Sequence, residues 1–182
     1  MDSSPSKCLN ITMEEEQKSS KAISYFRNFI FGVEDSLVST VGLLSGIAIA
    51  DMPRNVIFLT GVVLIFVEAF SMGAGSFLSE SSAERFAKKE GATVRKNLVA
   101  GTIMFFSYFV SGFVPLFPYL VWPVGTALIV SIIFSIIALF ILGIIGAKIS
   151  GVSILKNGLR MALIGGMAIG VGFLAGILVP KI

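Results

Sequence analysis

Apolar and polar residues fall along this chain in long blocks. After a polar lead-in, apolar runs occupy about 29–50, 56–78, 98–114, 124–147 and 159–179. A helix needs about 20 apolar residues to cross the roughly 30 Å hydrocarbon layer of a bilayer, and these runs meet that need. The pattern predicts an all-α, polytopic membrane protein with five transmembrane helices. Its breaks fall at Asp51-Met52-Pro53, at Pro115-Leu116-Phe117-Pro118-Tyr119 with Trp122-Pro123 beyond, and at Pro180, because proline disfavours a helical residue before it. Tyr119 and Trp122 suit a headgroup-level aromatic belt. The second run is expected to continue as a polar helix, Ser79 to Glu90, ending at Gly91. Two regions result: a polar arm over 1–24, and a membrane domain over 25–182 with a short cytoplasmic helical connection at 79–97.

Composition narrows the function classes. Hydrophobic residues make up 55% of the 182 and charged residues 14%, with mean hydropathy +0.92, against roughly 25% charged in a soluble domain. There is no His, and Cys8 is the one Cys. A disulfide or a Cys/His zinc site within one chain is therefore ruled out, and an intramembrane metalloprotease or serine protease would lack its ligand or base. No enzyme activity and no resident cofactor are expected. The net charge of +3 does not point to nucleic acid, since Lys and Arg sit beside apolar spans rather than in a basic patch.

Those basic residues set an orientation. Lys7, Lys18, Lys21 and Arg27 precede the first span; Arg85, Lys88, Lys89, Arg95 and Lys96 join the second to the third; Lys148, Lys156 and Arg160 join the fourth to the fifth. Together they are 12 of the 14 Lys and Arg, leaving Arg54 and Lys181 for the opposite side. Basic segments near spans stay cytoplasmic, so the N-terminus is expected in the cytoplasm and the C-terminus outside or in a lumen.

Carboxylates inside a bilayer cost about 2.5 kcal/mol or more and are kept where they face protein, water or a cation. Glu34, Asp35 and Glu68 are such residues, all in spans one and two; counting Asp, Glu, Lys and Arg, spans three, four and five offer no ionisable residue in their interiors. Helical spacing puts Asp35, Ser39, Gly42 and Gly46 on one face of span one, and Glu68, Met72, Gly75 and Ser79 on one face of span two. The expectation is that these two small, polar stripes meet in a seam, with Asp35 and Met72 at similar depth and Glu68 one turn deeper. Carboxylates with one thioether and no imidazole suit ferrous iron or manganese, and protons compete for the same oxygens. The plainer alternatives are that Glu34 and Asp35 reach up to interfacial water, that Glu68 is structural, and that Met72 is packing. Glu80, Glu84 and Glu90 with Arg85, Lys88 and Lys89 read as a solvated helix face. Gly143-xxx-Ala147, Gly166-xxx-Gly170 and Gly172-xxx-Gly176 read as packing motifs.

Several fragments in order resemble the vacuolar iron transporter family. They are Arg27 to Thr40 (RNFIFGVEDSLVST), Ser71-Met72-Gly73-Ala74-Gly75, Val114-Pro115-Leu116-Phe117-Pro118-Tyr119, Gly158-Leu159-Arg160-Met161 and Ile164-Gly165. The resemblance implies a proton-coupled exporter of ferrous iron and manganese from the cytosol, an antiporter working as a homodimer with the metal path between subunits. It implies Asp35 and Met72 as pathway ligands, with Glu68 and Glu34 as the further candidates from this chain. The membrane implied is a prokaryotic plasma membrane or a vacuole-type organelle membrane. This sequence has Glu34-Asp35-Ser36 where the family has Asn-Asp-Gly, and Ser76 where an acid commonly follows the Ser-Met pair. Glu68, one turn before Met72, is the candidate to compensate. The connection at 79–97 lacks the long Glu-rich insert of many transporting members; a non-transporting scaffold of the same fold is the alternative.

Overall fold

A computed structural model describes residues 5–86, 94–151 and 153–178, with side chains described from Ala22 onward. The expected helix end at Gly91, the charges of Lys88, Lys89 and Glu90, the side chains of Lys7, Cys8, Lys18 and Lys21, and Pro180 with Lys181 lie outside the described residues.

Six helices follow one another: α1 (Pro5–Ile49), α2 (Arg54–Phe86), α3 (Val94–Leu116), α4 (Pro118–Val121), α5 (Val124–Ser150) and α6 (Ile154–Leu178). Five of them, all but the one-turn α4, are long and apolar enough to cross a membrane, so the chain is an all-α integral membrane protein as expected. Lipid offers no hydrogen bonds, and a helix satisfies its backbone internally.

The breaks have local causes. α1 gives way at Asp51, whose φ of 62° lies in the left-handed region that a short polar side chain tolerates better than most. Pro53, which has no N–H to lose, then opens the next helix, and its carbonyl accepts from Val56 and Ile57 at 2.9 and 3.1 Å. Pro118 does the same for α4. Arg54 caps this end of the bundle, donating from Nε to the Tyr119 carbonyl at 2.5 Å and from its terminal nitrogen to the Leu120 carbonyl. Beneath it, Leu44, Ala48, Ile57, Ile65, Leu116, Tyr119 and Ala127 form the main apolar cluster. Burial pushes the Tyr119 phenol above its ordinary titration range.

α1 lies at the centre, packed on α3, α6, α5 and α2. Its Gly42 and Gly46 do not face α2 as the stripe reading expected. They lie against Ala168 and Gly172 of α6, and a Cβ built on Gly46 would stand 2.6 Å from the Gly172 carbonyl oxygen. Gly172 and Gly176 return the contact against the backbone of Gly42 and Gly46. Mutual absence of side chains decides the pairing, since only two small faces let two backbones approach this closely. Gly143 likewise packs on Gly158, with Asn157 donating to the Gly143 carbonyl at 2.8 Å. Gly166 and Gly170 have nothing within 4 Å of where a Cβ would stand, so that motif joins no helices within this chain.

Candidate functional site

The antiparallel register of α1 and α2 is fixed by three side-chain bonds. Ser24 Oγ donates to Glu80 Oε1 at 2.6 Å, Arg27 Nη2 donates to the same oxygen at 3.0 Å, and Ser76 Oγ donates to Asn28 Oδ1 at 2.9 Å. Advancing one turn along α1 retreats one turn along α2. Met72 is then level with Gly32, and Asp35 with Glu68. The depths expected from sequence are corrected accordingly: Glu68, not Met72, is the counterpart of Asp35, and Met72 stands one turn nearer the Arg27–Glu80 end.

Asp35 and Glu68, each partly buried, lie within electrostatic range of one another and of the phenol of Tyr108. Tyr108 comes from α3 and is fully buried. Its carbonyl accepts from Ser36 Oγ at 2.7 Å, and its hydroxyl lies 2.7 Å from Ser39 Oγ. Gly32 makes room for this packing, since a Cβ there would stand 2.9 Å from the Ser107 Cβ and 3.1 Å from the Met104 sulfur. The sequence reading missed Tyr108 by counting only acids and bases. The available signal was its place beside Ser107 and Ser111 in an otherwise apolar span.

Glu34 goes elsewhere. Successive helical residues diverge by about 100°, so Glu34 leaves α1 in a different direction from Asp35, within the electrostatic range of Arg160 of α6 as well as of Asp35. Among the described residues no three His, Cys, Asp or Glu side chains gather into a metal-holding group. One chain sets Asp35 and Glu68 at the same level of α1 and α2, holds Met72 a turn away, and directs Glu34 away from Asp35 around α1.

Met72 lines a groove of about 430 Å³ between α1 and α2, with Asn28, Phe31, Ser71, Ser76 and Met104 around it and Arg27 and Glu80 at its end. The solvated-face reading of the α2 extension is corrected here. Glu80 turns inward to α1, and Glu84 turns to α3, where it meets Lys96 Nζ at 3.2 Å and Asn97 Nδ2 at 2.7 Å. Polar partners on neighbouring helices outcompete water for both carboxylates.

Residues 26–99 and 88–177 match the sequence profile of the VIT family. The chain belongs to the VIT family. Its similarity to individual members is distributed along the whole length. It is 25% identical to vacuolar iron transporter 1 of Tulipa gesneriana over 219 positions, covering 87% of this chain and 89% of that one. It is 27% identical to vacuolar iron transporter homolog 3 of Arabidopsis thaliana over 183 positions, 91% of each. The alignment of 219 positions exceeds the 182 residues of this VIT-family chain, so the tulip protein carries residues absent here. The two profile matches overlap at 88–99, from the connection after α2 into the start of α3. At Ser76, where the resemblance puts an acid, this VIT-family chain uses a hydroxyl to hold Asn28.

Proposed function

We propose that the protein carries divalent transition metal, ferrous iron or manganese, out of the cytosol in exchange for protons. The observation that carries this reading is the register of α1 and α2, which sets Asp35 level with Glu68 inside the spans, where the charge of Glu68 acts on Asp35. Two carboxylates that feel one another's charge in a low-dielectric medium repel unless a cation or a proton sits with them. Metal and protons therefore exclude one another at the same oxygens, which is the minimum requirement for exchange. Met72 adds a soft donor on the approach, which favours iron or manganese over calcium.

The pathway ligands are Asp35, Glu68 and Met72, with Glu34 as a secondary acid. A single chain supplies too few donors for one ion, and a second copy related by a two-fold axis doubles the set. The homodimer places the apolar groove of about 670 Å³ along α1, lined by Ser39, Gly42 and Gly46 among others, at the subunit boundary. The end carrying Arg27, Arg85, Lys96, Lys148 and Arg160 faces the cytosol, by the preference of basic segments for that side. The names of the plant relatives favour a vacuole-type membrane.

Reconstituted vesicles test the reading. The parent protein is expected to take up ferrous iron or manganese and to move protons in the opposite direction, with Asp35→Asn and Glu68→Gln each losing most of the flux while remaining folded. Equal flux in all three would end the assignment of these residues. No flux in the parent, with an intact dimer, would favour the scaffold alternative.

A further inference from the structure

The Arg27–Glu80 pair lines one end of the groove that also holds Met72. We propose that Glu80 is the first ligand an incoming divalent cation meets, and that Arg27 occupies this carboxylate until the cation displaces it; this rests on the transport reading above.

The two partners are unequally placed. Glu80 has a side chain only 14% exposed, whereas Arg27 is 72% exposed and touches it through Nη2 alone, at 3.0 Å. A guanidinium that engages the carboxylate through Nη2 and already stands mostly in solvent leaves at little cost, because water screens the pair and takes over the released charge. The carboxylate stays behind, fixed by Ser24 Oγ at 2.6 Å and kept from full hydration by the helices beside it. A dication interacts with that carboxylate about twice as strongly as a monocation at equal distance.

The surroundings continue the ligand set inward. Ser79, Ser76 and Ser71 of α2 line the groove; Met72 lies two turns along α2 from Glu80, and Met104 faces Gly32 at that same level. The donors thus run from hard oxygen at the mouth to thioether further in, before the register reaches Glu68 and Asp35. Hard oxygen at the mouth suits capture of a hydrated ion, and thioether beyond it suits a partly dehydrated transition metal. A structural clasp between α1 and α2 would need none of this lining, and Ser76 with Asn28 already supplies a clasp one turn away.

Initial rates of manganese uptake into vesicles, measured across a concentration series, separate the two roles. Glu80→Gln is expected to raise KM roughly tenfold with maximal rate nearly unchanged, and Glu80→Asp to restore most of the loss, because capture weakens while the later steps do not. Arg27→Gln is expected to lower KM several-fold, because the competitor for the carboxylate is gone. A clasp predicts that both partners' variants act in the same direction, so a raised KM in Arg27→Gln overturns the proposal. So does an unchanged KM in Glu80→Gln. If Glu80→Gln does not fold, the sign of the Arg27→Gln shift and the Glu80→Asp value decide alone. Absence of saturable uptake in the parent would sink the transport reading and this inference together, whereas saturable parent uptake with unchanged KM in the variants sinks this inference only.

Discussion

The hydroxyl of Ser39 and the phenol of Tyr108 lie 2.7 Å apart, tying α1 to α3 one turn along from Asp35. The bond holds a buried ring within the electrostatic range of Asp35 and Glu68, so under the proposed function its loss should be felt in stability and in transport. Tyr108→Phe keeps the ring and removes the hydroxyl, leaving Ser39 with a 3.5 Å contact to the Ser36 carbonyl. The expected cost is about 1 kcal/mol, read as a lower melting temperature in detergent, together with a slower metal flux. A melting temperature equal to that of the parent would mean that the bond braces nothing.

Met72→Leu retains volume and removes the thioether. Packing at this site should change by less than about 1.5 kcal/mol, while uptake of ferrous iron should fall relative to manganese, the harder of the two ions. Competition uptake with both metals present measures the ratio. An unchanged ratio would return Met72 to the role of gap-filler.

Glycines of α6 should divide sharply by position. Gly172→Val drives a side chain into the backbone of Gly42, and overpacking of this kind costs about 1–3 kcal/mol, enough to lower the melting temperature or abolish a folded monodisperse protein. Gly170→Ala meets open space and should leave the isolated protomer's melting unchanged. Indistinguishable melting of the two variants would refute the close approach of α1 and α6.

Glu84 bridges α2 to α3 through Lys96 and Asn97. Glu84→Ala leaves Lys96, only 20% exposed, with its charge poorly matched, and Asn97 with Ser81 alone among these partners. A loss of about 1–3 kcal/mol is expected, with little dependence on salt because the pair is largely shielded from solvent. Chemical or thermal unfolding at low and high ionic strength checks both points.

The five spans were legible because each apolar run exceeds what a soluble helix needs, and Asp51-Met52-Pro53 or Trp122-Pro123 stops a helix on local grounds alone. Asp35 and Glu68 were legible because carboxylates are rare in such runs. What the sequence withheld was partnership. The spacing of Gly42 and Gly46 defines a face of α1 but not whether α2 or α6 covers it; the reciprocal glycines of α6 decide that. Tyr108 was hidden because an aromatic residue in a span reads as lipid-facing bulk, and its role appears only when Ser39 arrives from another helix. Glu80 and Glu84 read as surface in the sequence because a charged amphipathic stretch looks the same whether its acids meet water or a neighbouring helix.

Helix α1 runs without interruption from Pro5 to Ile49, although the part from Ala22 onward already suffices to span a bilayer. The remaining turns form a stub of roughly 25 Å with no joint between it and the carboxylate at Asp35. With one unbroken helix there is no hinge between stub and span, so a tilt of the stub is shared by the turns that carry Asp35.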